Sequence, residues 1–166
     1  LVGSNDGTLT NMDAPTDWVA DTDAGGVRAL DFDGADDYVQ MGALSSLTNW
    51  SISVWLKPTA TTGYRAIFGT PATGPAAVYF KAGKFGVYTT TDRFGAITVA
   101  NNVWSHLVVT GGSTIRIYVN NVADSTYVSS AAFAGTGNAR LGANAVAGTE
   151  RIQGLLDDLR VWDQVI

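Results

Sequence analysis

The sequence predicts an all-β domain of many short strands, a sandwich or a barrel, and three observations predict it. Only 15% of the 166 residues are charged, while Gly, Ser, Thr, Asn and Asp are abundant. That mixture places apolar strands between tight turns, because Gly, Asn and Asp tolerate the left-handed backbone that turns require. The helix formers are sparse, and Glu150 is the only Glu in the chain. No segment shows 3.6-residue periodicity, whereas short alternating runs recur at even spacing with turn signals between them. The length suits one domain over residues 1–166, with no boundary or internal repeat.

Residues 1–23 are rich in turn formers, with one short extended candidate at 7–12. From Val27 onward strands are expected at 28–32, 38–41, 51–57, 65–69, 77–81, 84–89, 96–99, 104–110, 114–119, 122–127, 139–142 and 155–162. Ala82-Gly83, Gly111-Gly112 and Asn120-Asn121 read as hairpin turns, since Gly and Asn suit the primed turns that match strand twist. The strands joined by the last two of these should form a meander in one sheet.

Alternation assigns faces. Ile52, Val54 and Leu56 share a side that excludes Ser51, Ser53, Trp55 and Lys57. Ile115, Ile117 and Val119 alternate with Thr114, Arg116 and Tyr118, and Phe85 and Val87 alternate with Tyr88. Each strand then buries one side, as in antiparallel sheets with one wet face.

Composition also excludes. With no Cys, no disulfide staples the fold and no thiol chemistry is available. A net charge of −5 argues against nucleic acid, whose phosphates call for clustered Lys and Arg. No apolar run approaches the roughly 20 residues needed to span a bilayer, so no membrane insertion is expected. The chain opens at Leu1-Val2-Gly3 without a signal peptide, as a mature product or an excised fragment would.

Three stretches carry a family resemblance: Ala29-Leu30-Asp31-Phe32-Asp33-Gly34-Ala35-Asp36-Asp37-Tyr38-Val39, Trp104-Ser105-His106-Leu107-Val108-Val109-Thr110 and Gly154-Leu155-Leu156-Asp157-Asp158-Leu159-Arg160-Val161-Trp162. Together with residues 51–58 and Ile117-Tyr118-Val119-Asn120, and in this order, they resemble the laminin-G-like branch of the concanavalin A-like lectin/glucanase superfamily. The resemblance implies a two-sheet antiparallel β-sandwich of jelly-roll type. It says less about function, because this fold hosts lectins, adhesion modules, hydrolases and structural pieces. One departure is the short lead-in before Asn5-Asp6-Gly7, from which a first strand cut short at the N-terminus, or supplied elsewhere, is expected.

Catalysis finds no support among the residues. Retaining glucanases of the superfamily use two carboxylates, usually Glu, roughly 5–5.5 Å apart, and a Glu pair cannot be built from Glu150 alone. Asp36-Asp37 and Asp157-Asp158 are adjacent in sequence, so on a regular strand they point to opposite faces. His106, the only His, sits mid-strand and reads as a structural imidazole bonded to a neighbouring strand. Neither a Gly-x-Ser-x-Gly elbow nor a phosphate loop is present. The chain is expected not to be an enzyme.

Asp157 shares parity with Leu155, Leu159 and Val161, so on a regular strand its carboxylate points toward the apolar layer. A buried charge is paired or binds a metal, and Arg160 has the opposite parity. Calcium, which takes six to eight oxygens, is the expected cofactor. The resemblance implies a structural site made by Asp157, the Gly34 region and Asn5 or its neighbours. The competing reading is that Asp157 caps backbone amides beside a bulge. Asp33 and Asp36 are expected to bond turn amides in either case.

For a ligand, Trp55, Tyr88, Arg116 and Tyr118 lie opposite the core in strands that could share one sheet. Aromatic faces stack on sugar rings and Arg bonds hydroxyls or carboxylates, although aromatic cross-strand pairs also stabilise sheets without any ligand. Trp18, Trp50, Trp104 and Trp162 read as packing residues, and the loops at 70–77 and 135–148 are alternative binding rims. Two functions fit. One is a carbohydrate-binding or adhesion module on a secreted or surface protein, with a glycan or surface protein as partner. The other is a structural or decoration subunit of a viral or cell-surface assembly. Either places the chain outside the cell, on a cell surface or on a virion.

Overall fold

A computed structural model describes residues 6–13, 15–20, 28–70, 77–128, 132–133, 137–144 and 150–166. The strands are β1 (Thr8–Thr10), β2 (Trp18–Ala20), β3 (Arg28–Asp33), β4 (Tyr38–Ala43), β5 (Trp50–Pro58), β6 (Tyr64–Gly69), β7 (Ala77–Lys81), β8 (Lys84–Tyr88), β9 (Asp92–Thr98), β10 (Ser105–Gly111), β11 (Thr114–Val119), β12 (Val122–Val128), β13 (Asn138–Leu141) and β14 (Gln153–Trp162). They form two seven-stranded sheets, β1-β4-β13-β6-β7-β8-β9 and β12-β11-β10-β5-β14-β3-β2, in which every ladder is antiparallel. This is the expected two-sheet jelly-roll sandwich.

The core lies between the sheets. Ile52, Val54, Leu56, Leu107, Val109, Ile115 and Ile117 come from one sheet and Phe68, Val78, Phe80, Phe85 and Val87 from the other, all buried in one cluster. Burying each such side chain contributes about 1.5–3 kcal/mol. Trp50 is 0% exposed and meets Phe133 edge-on at 5.3 Å, and Phe133 in turn stacks on Phe68 at 5.7 Å. Gly111, paired with Trp50, leaves room for that indole: a Cβ there would overlap the ring.

Two hairpins form as the sequence predicts. Ala82 (φ 49°) and Gly83 (φ 78°) join β7 to β8, and Asn120 (φ 52°) and Asn121 (φ 63°) join β11 to β12. The third differs by one residue. Gly111 still pairs with Trp50 as part of β10, so Gly112 and Ser113 make the turn into β11. The meander β10-β11-β12 lies in one sheet. Strand β2 was not expected among turn formers; Trp18, Val19 and Ala20 pair with Leu30, Ala29 and Arg28.

The sheet edges β9 and β12 are tied across the gap between the layers. The Asp124 carboxylate on β12 accepts the N–H of Ala96 at 2.6 Å and of Ile97 at 3.0 Å. Tyr127 donates its hydroxyl hydrogen bond to the Phe94 carbonyl, and the Arg93 guanidinium lies 5.4 Å from the Tyr127 ring centre. Edge strands with unpaired amides invite aggregation, and Asp124 covers two such amides from the opposite sheet. Asp124→Ala should therefore lower unfolding free energy by about 2 kcal/mol in urea titration, since it strips the partner from two amides. A change below ~0.5 kcal/mol would show that these contacts do not hold the edges together.

Candidate functional site

The outer face of the β6–β9 sheet carries an aromatic cleft. Inward-facing Val78 and Phe80 on β7 leave Ala77, Tyr79 and Lys81 facing out. Cross-strand partners on that face are Tyr64 with Lys81, Ala66 with Tyr79, Ala77 with Tyr88, Gly86 with Tyr79 and Phe94, and Asp92 with Tyr88. Ala66, Ala77 and Tyr79 form a small second cluster against which Tyr64, Tyr88 and Phe94 pack. The resulting cleft of about 250 Å³ is lined by Tyr64, Tyr79, Tyr88, Asp92, Asn144 and Glu150.

Its polar groups divide into two sets. On one side Lys81 forms an ion pair with Asp92 at 3.4 Å, and both hydrogen-bond with the Tyr64 hydroxyl. The Lys81 ammonium also lies 3.8 Å from the Tyr64 ring centre, so one face of that ring is already covered. On the other side the Asn144 amide donates to Tyr79 Oη at 2.9 Å and to Glu150 Oε2 at 2.7 Å. The Glu150 backbone is pinned to β6, its carbonyl accepting the Ala66 N–H at 2.8 Å. Burial first, and the Glu150 carboxylate second, push the Tyr79 phenol well above the ordinary tyrosine range, so it stays neutral. The cleft thus offers aromatic walls, a neutral phenol and two carboxylates, one of them already paired with a cation.

Of the four predicted ligand residues, only Tyr88 lies here. The expectation of one shared sheet is corrected: Tyr88 is on β8 in one sheet, while Trp55 on β5 and Arg116 and Tyr118 on β11 are in the other. Trp55 is opposite His106, with ring centres 5.0 Å apart, which is a cross-strand pair. The imidazole is thus held by a tilted ring contact with Trp55, interplanar angle 35°. Tyr118 pairs with Val108 and Arg116 with Thr110 on the same outer face. Trp50 packs as expected, whereas Trp18 is 37% exposed.

Tyr64, Tyr79, Lys81, Asp92, Asn144 and Glu150 escaped the sequence reading. Alternation in Ala77-Val78-Tyr79-Phe80-Lys81 carried the signal for two of them. Asn144 belongs to the loop predicted as a rim at 135–148; residues 71–76, 135–136 and 145–148 of the two predicted rims lie outside the described residues.

Of the predicted calcium ligands, the two that are described, Asp157 and Gly34, lie apart. Leu156, not Asp157, faces the core: it is 2% exposed and pairs with Leu56, while Asp157 pairs with Trp55 on the outer face. A bulge between Asp157 and Arg160, with Asp158 at φ 48°, then reverses the parity, so that Val161 pairs with Ile52. The Asp157 carboxylate accepts the Asp158 N–H at 2.7 Å. Gly34 follows Asp33, whose partner is Gln153, four residues and about 13 Å along β14 from Asp157. Asn5 lies outside the described residues.

The turn around Gly34 does suit a hard cation. Carboxylate oxygens of Asp33, Asp36 and Asp37 lie within 4.8 Å of one another. Asp33 accepts the N–H of Ala35 at 2.6 Å and of Asp36 at 3.4 Å, and Asp37 accepts that of Asp33 at 2.9 Å. Asp33 caps turn amides as expected, while the second capping carboxylate is Asp37, not Asp36. Burial, with repulsion from Asp33 and Asp17, raises the Asp37 carboxyl above its ordinary range.

A laminin G family model (Laminin_G_3), described as concanavalin A-like lectin/glucanases superfamily, matches residues 33–166. The sandwich with its outer-face cleft is thus a concanavalin A-like domain. The chain belongs to the laminin G-type family of that superfamily. No curated protein sequence matches it. Among solved structures, it is similar to domain 4 of the extracellular arabinanase AbnA from Geobacillus stearothermophilus, in complex with arabinotriose (TM-score 0.69, 17% identity, 94% of this chain and 75% of that one). It is also similar to the CBM40 of Ruminococcus gnavus IT-sialidase bound to α2,3 sialyllactose (0.65, 16%, 83% and 91%). Mouse laminin α1 domains LG4-5 give 0.63 at 13% identity over 80% of this chain and 40% of that one. At these identities the likeness is one of fold.

Asp157→Ala should cost about 1 kcal/mol, the worth of one capping hydrogen bond. Chemical denaturation should give the same loss in calcium and in excess chelator; a loss seen only in calcium would restore Asp157 as a ligand.

Proposed function

We propose that the chain is a non-catalytic carbohydrate-binding module that takes a sugar ring in the tyrosine cleft. The observation that carries this reading is the convergence of Tyr64, Tyr79 and Tyr88 on one cleft with Asn144, Asp92 and Glu150. Aromatic rings stack on the apolar faces of sugars while amides and carboxylates bond their hydroxyls. The volume, about 250 Å³, is below the roughly 300–1,000 Å³ of pockets for drug-sized ligands, which suits one ring-sized unit of a longer glycan. The arabinotriose and sialyllactose complexes of proteins with this fold support the class of ligand. A secreted or cell-surface setting goes with it.

The two carboxylates argue against hydrolysis. A glycosidase needs one carboxyl as acid and a second as nucleophile or base; here Lys81 and Tyr64 engage Asp92 while Asn144 holds Glu150, an arrangement that supports binding.

Tyr88→Ala should weaken binding to the best ligand of a broad glycan array about tenfold, or ~1.4 kcal/mol, with Trp55→Ala within twofold of wild type. The reverse pattern would move the site to the opposite sheet. Absence of any saturable glycan binding would favour the structural-subunit alternative.

We also propose that calcium, expected from the family resemblance, is held at the β3–β4 turn by Asp33, Asp36 and Asp37. Hard cations favour such oxygen donors. Calcium at a hundredfold excess over its dissociation constant should stabilise the wild type by about 2.7 kcal/mol, and Asp36→Ala should abolish the effect. Superimposable melting curves with calcium and with chelator would dispose of the site.

A further inference from the structure

We infer that the cleft selects a sugar ring bearing a free amine, a glucosamine-type unit, whose ammonium pairs with Glu150 while the ring stacks on Tyr88. The inference rests on the cleft being the sugar site and assigns its preferred ligand from its charge. Two carboxylates enter the cleft, Asp92 and Glu150. Lys81 compensates Asp92, but Glu150 receives the neutral Asn144 amide and hydrogen bonds with the neutral Tyr79 phenol.

Three further cations, Arg151, Arg65 and Lys84, bond groups other than the Glu150 carboxylate. Arg151, its neighbour in sequence, donates to the Asp37 carbonyl and lies 5.6 Å from the Tyr38 ring centre. Arg65 donates to the carbonyls of Thr62 and Arg151, and Lys84 bonds Ala96 and Thr98. The segments that adjoin the cleft residues in sequence, 71–76 and 145–149, contain no Lys or Arg. Among the described residues no Lys or Arg forms an ion pair with the Glu150 carboxylate, which is half-buried in the tyrosine-lined cleft.

A protonated amine answers each feature of that environment. It forms a charge-assisted hydrogen bond with the carboxylate, and electron-rich aromatic faces favour cations. Lys81 already demonstrates the second contact on Tyr64 and Phe94, at 3.8 and 5.6 Å from their ring centres. With one Tyr64 face occupied, Tyr88 is the ring left for the ligand. A uronic or sialic acid would bring a second anion beside Glu150 and is disfavoured by the same argument.

The test is calorimetric titration of the whole chain with three trisaccharides: glucosamine trimer, its fully N-acetylated form and trigalacturonate. It is run at low ionic strength and at a pH that keeps the amine protonated. In the wild type the amine form should bind about tenfold tighter than the N-acetylated form, and trigalacturonate should give no measurable heat. Glu150→Gln preserves an acceptor for Asn144, and it should bring the affinities of the two forms within twofold of each other.

Equal wild-type affinities, or a preference that survives Glu150→Gln, would overturn the amine assignment and leave the carbohydrate site intact. Tightest binding of trigalacturonate would overturn it too. Loss of all three ligands together with every other glycan would remove the carbohydrate reading itself.

Discussion

Side chains on a strand alternate between two faces, so the register that fills the interior also dictates what the exterior displays. In β7 and β8 the interior claims Val78, Phe80, Phe85 and Val87. Tyr79, Lys81 and Tyr88 are then left outside, where Tyr79 and Tyr88 line the cleft. A slip of one residue would carry Lys81 inward and empty the cleft of its tyrosines. Core packing and the candidate site are therefore one constraint, enforced by the cost of burying a lysine among phenylalanines. Small residues complete the arrangement: Ala66 and Gly86 flank Tyr79 across both neighbouring strands, giving its ring space to lie over the sheet.

The same alternation explains how much could be read from the sequence. Strands β5, β8 and β11 alternate without interruption, and Ile52, Val54, Leu56, Phe85, Val87, Ile115, Ile117 and Val119 all face the core as the pattern requires. The Ala82-Gly83 and Asn120-Asn121 turns were legible because their chemistry is local. In β14 the pattern misled. The bulge at Asp158 inserts a residue, so Leu155 and Asp157 face out although Val161 faces in. Nothing in Asp157-Asp158 distinguishes a bulge from a regular strand. Sheet membership was equally hidden, since the chain leaves one sheet after β5, builds β6 to β9 in the other and returns at β10. Tyr88 and Trp55 can be placed on opposite faces of the molecule only once those crossings are known. Asn144 and Glu150 reach the cleft from a loop far along the chain, and no periodicity marks them.

Closure of the sandwich shows polar groups doing in the edges what apolar ones do in the middle. The outermost strands β9 and β12 cannot pair further within their sheets, and Asp124 and Tyr127 bond backbone groups of the facing sheet instead. At the other end of β5, Ser51 is buried because its hydroxyl donates to the Gln164 carbonyl and accepts the Ile166 N–H. At the edges these side chains take the position an additional strand would fill, whereas Ser51, on an interior strand, ties the C-terminal residues to the sheet. The apolar layer stays sealed without a disulfide.

Within the cleft, the two carboxylates differ through their neighbours rather than through their own chemistry. Asp92 faces Lys81, which the alternation of β7 places two residues from Tyr79 on the same side. Glu150 is fixed by its backbone to β6 and by Asn144 to Tyr79, a neutral frame that orients the carboxylate but leaves its charge uncancelled. The frame is as important as the charge. A free carboxylate on a mobile chain would turn to solvent, whereas one held by an amide that also holds a phenol keeps its direction relative to the rings. Preorganised acceptors lose less entropy on binding, so the cleft's selectivity in the proposed reading follows from a hydrogen-bond triad of Asn144, Tyr79 and Glu150 that exists before any ligand arrives.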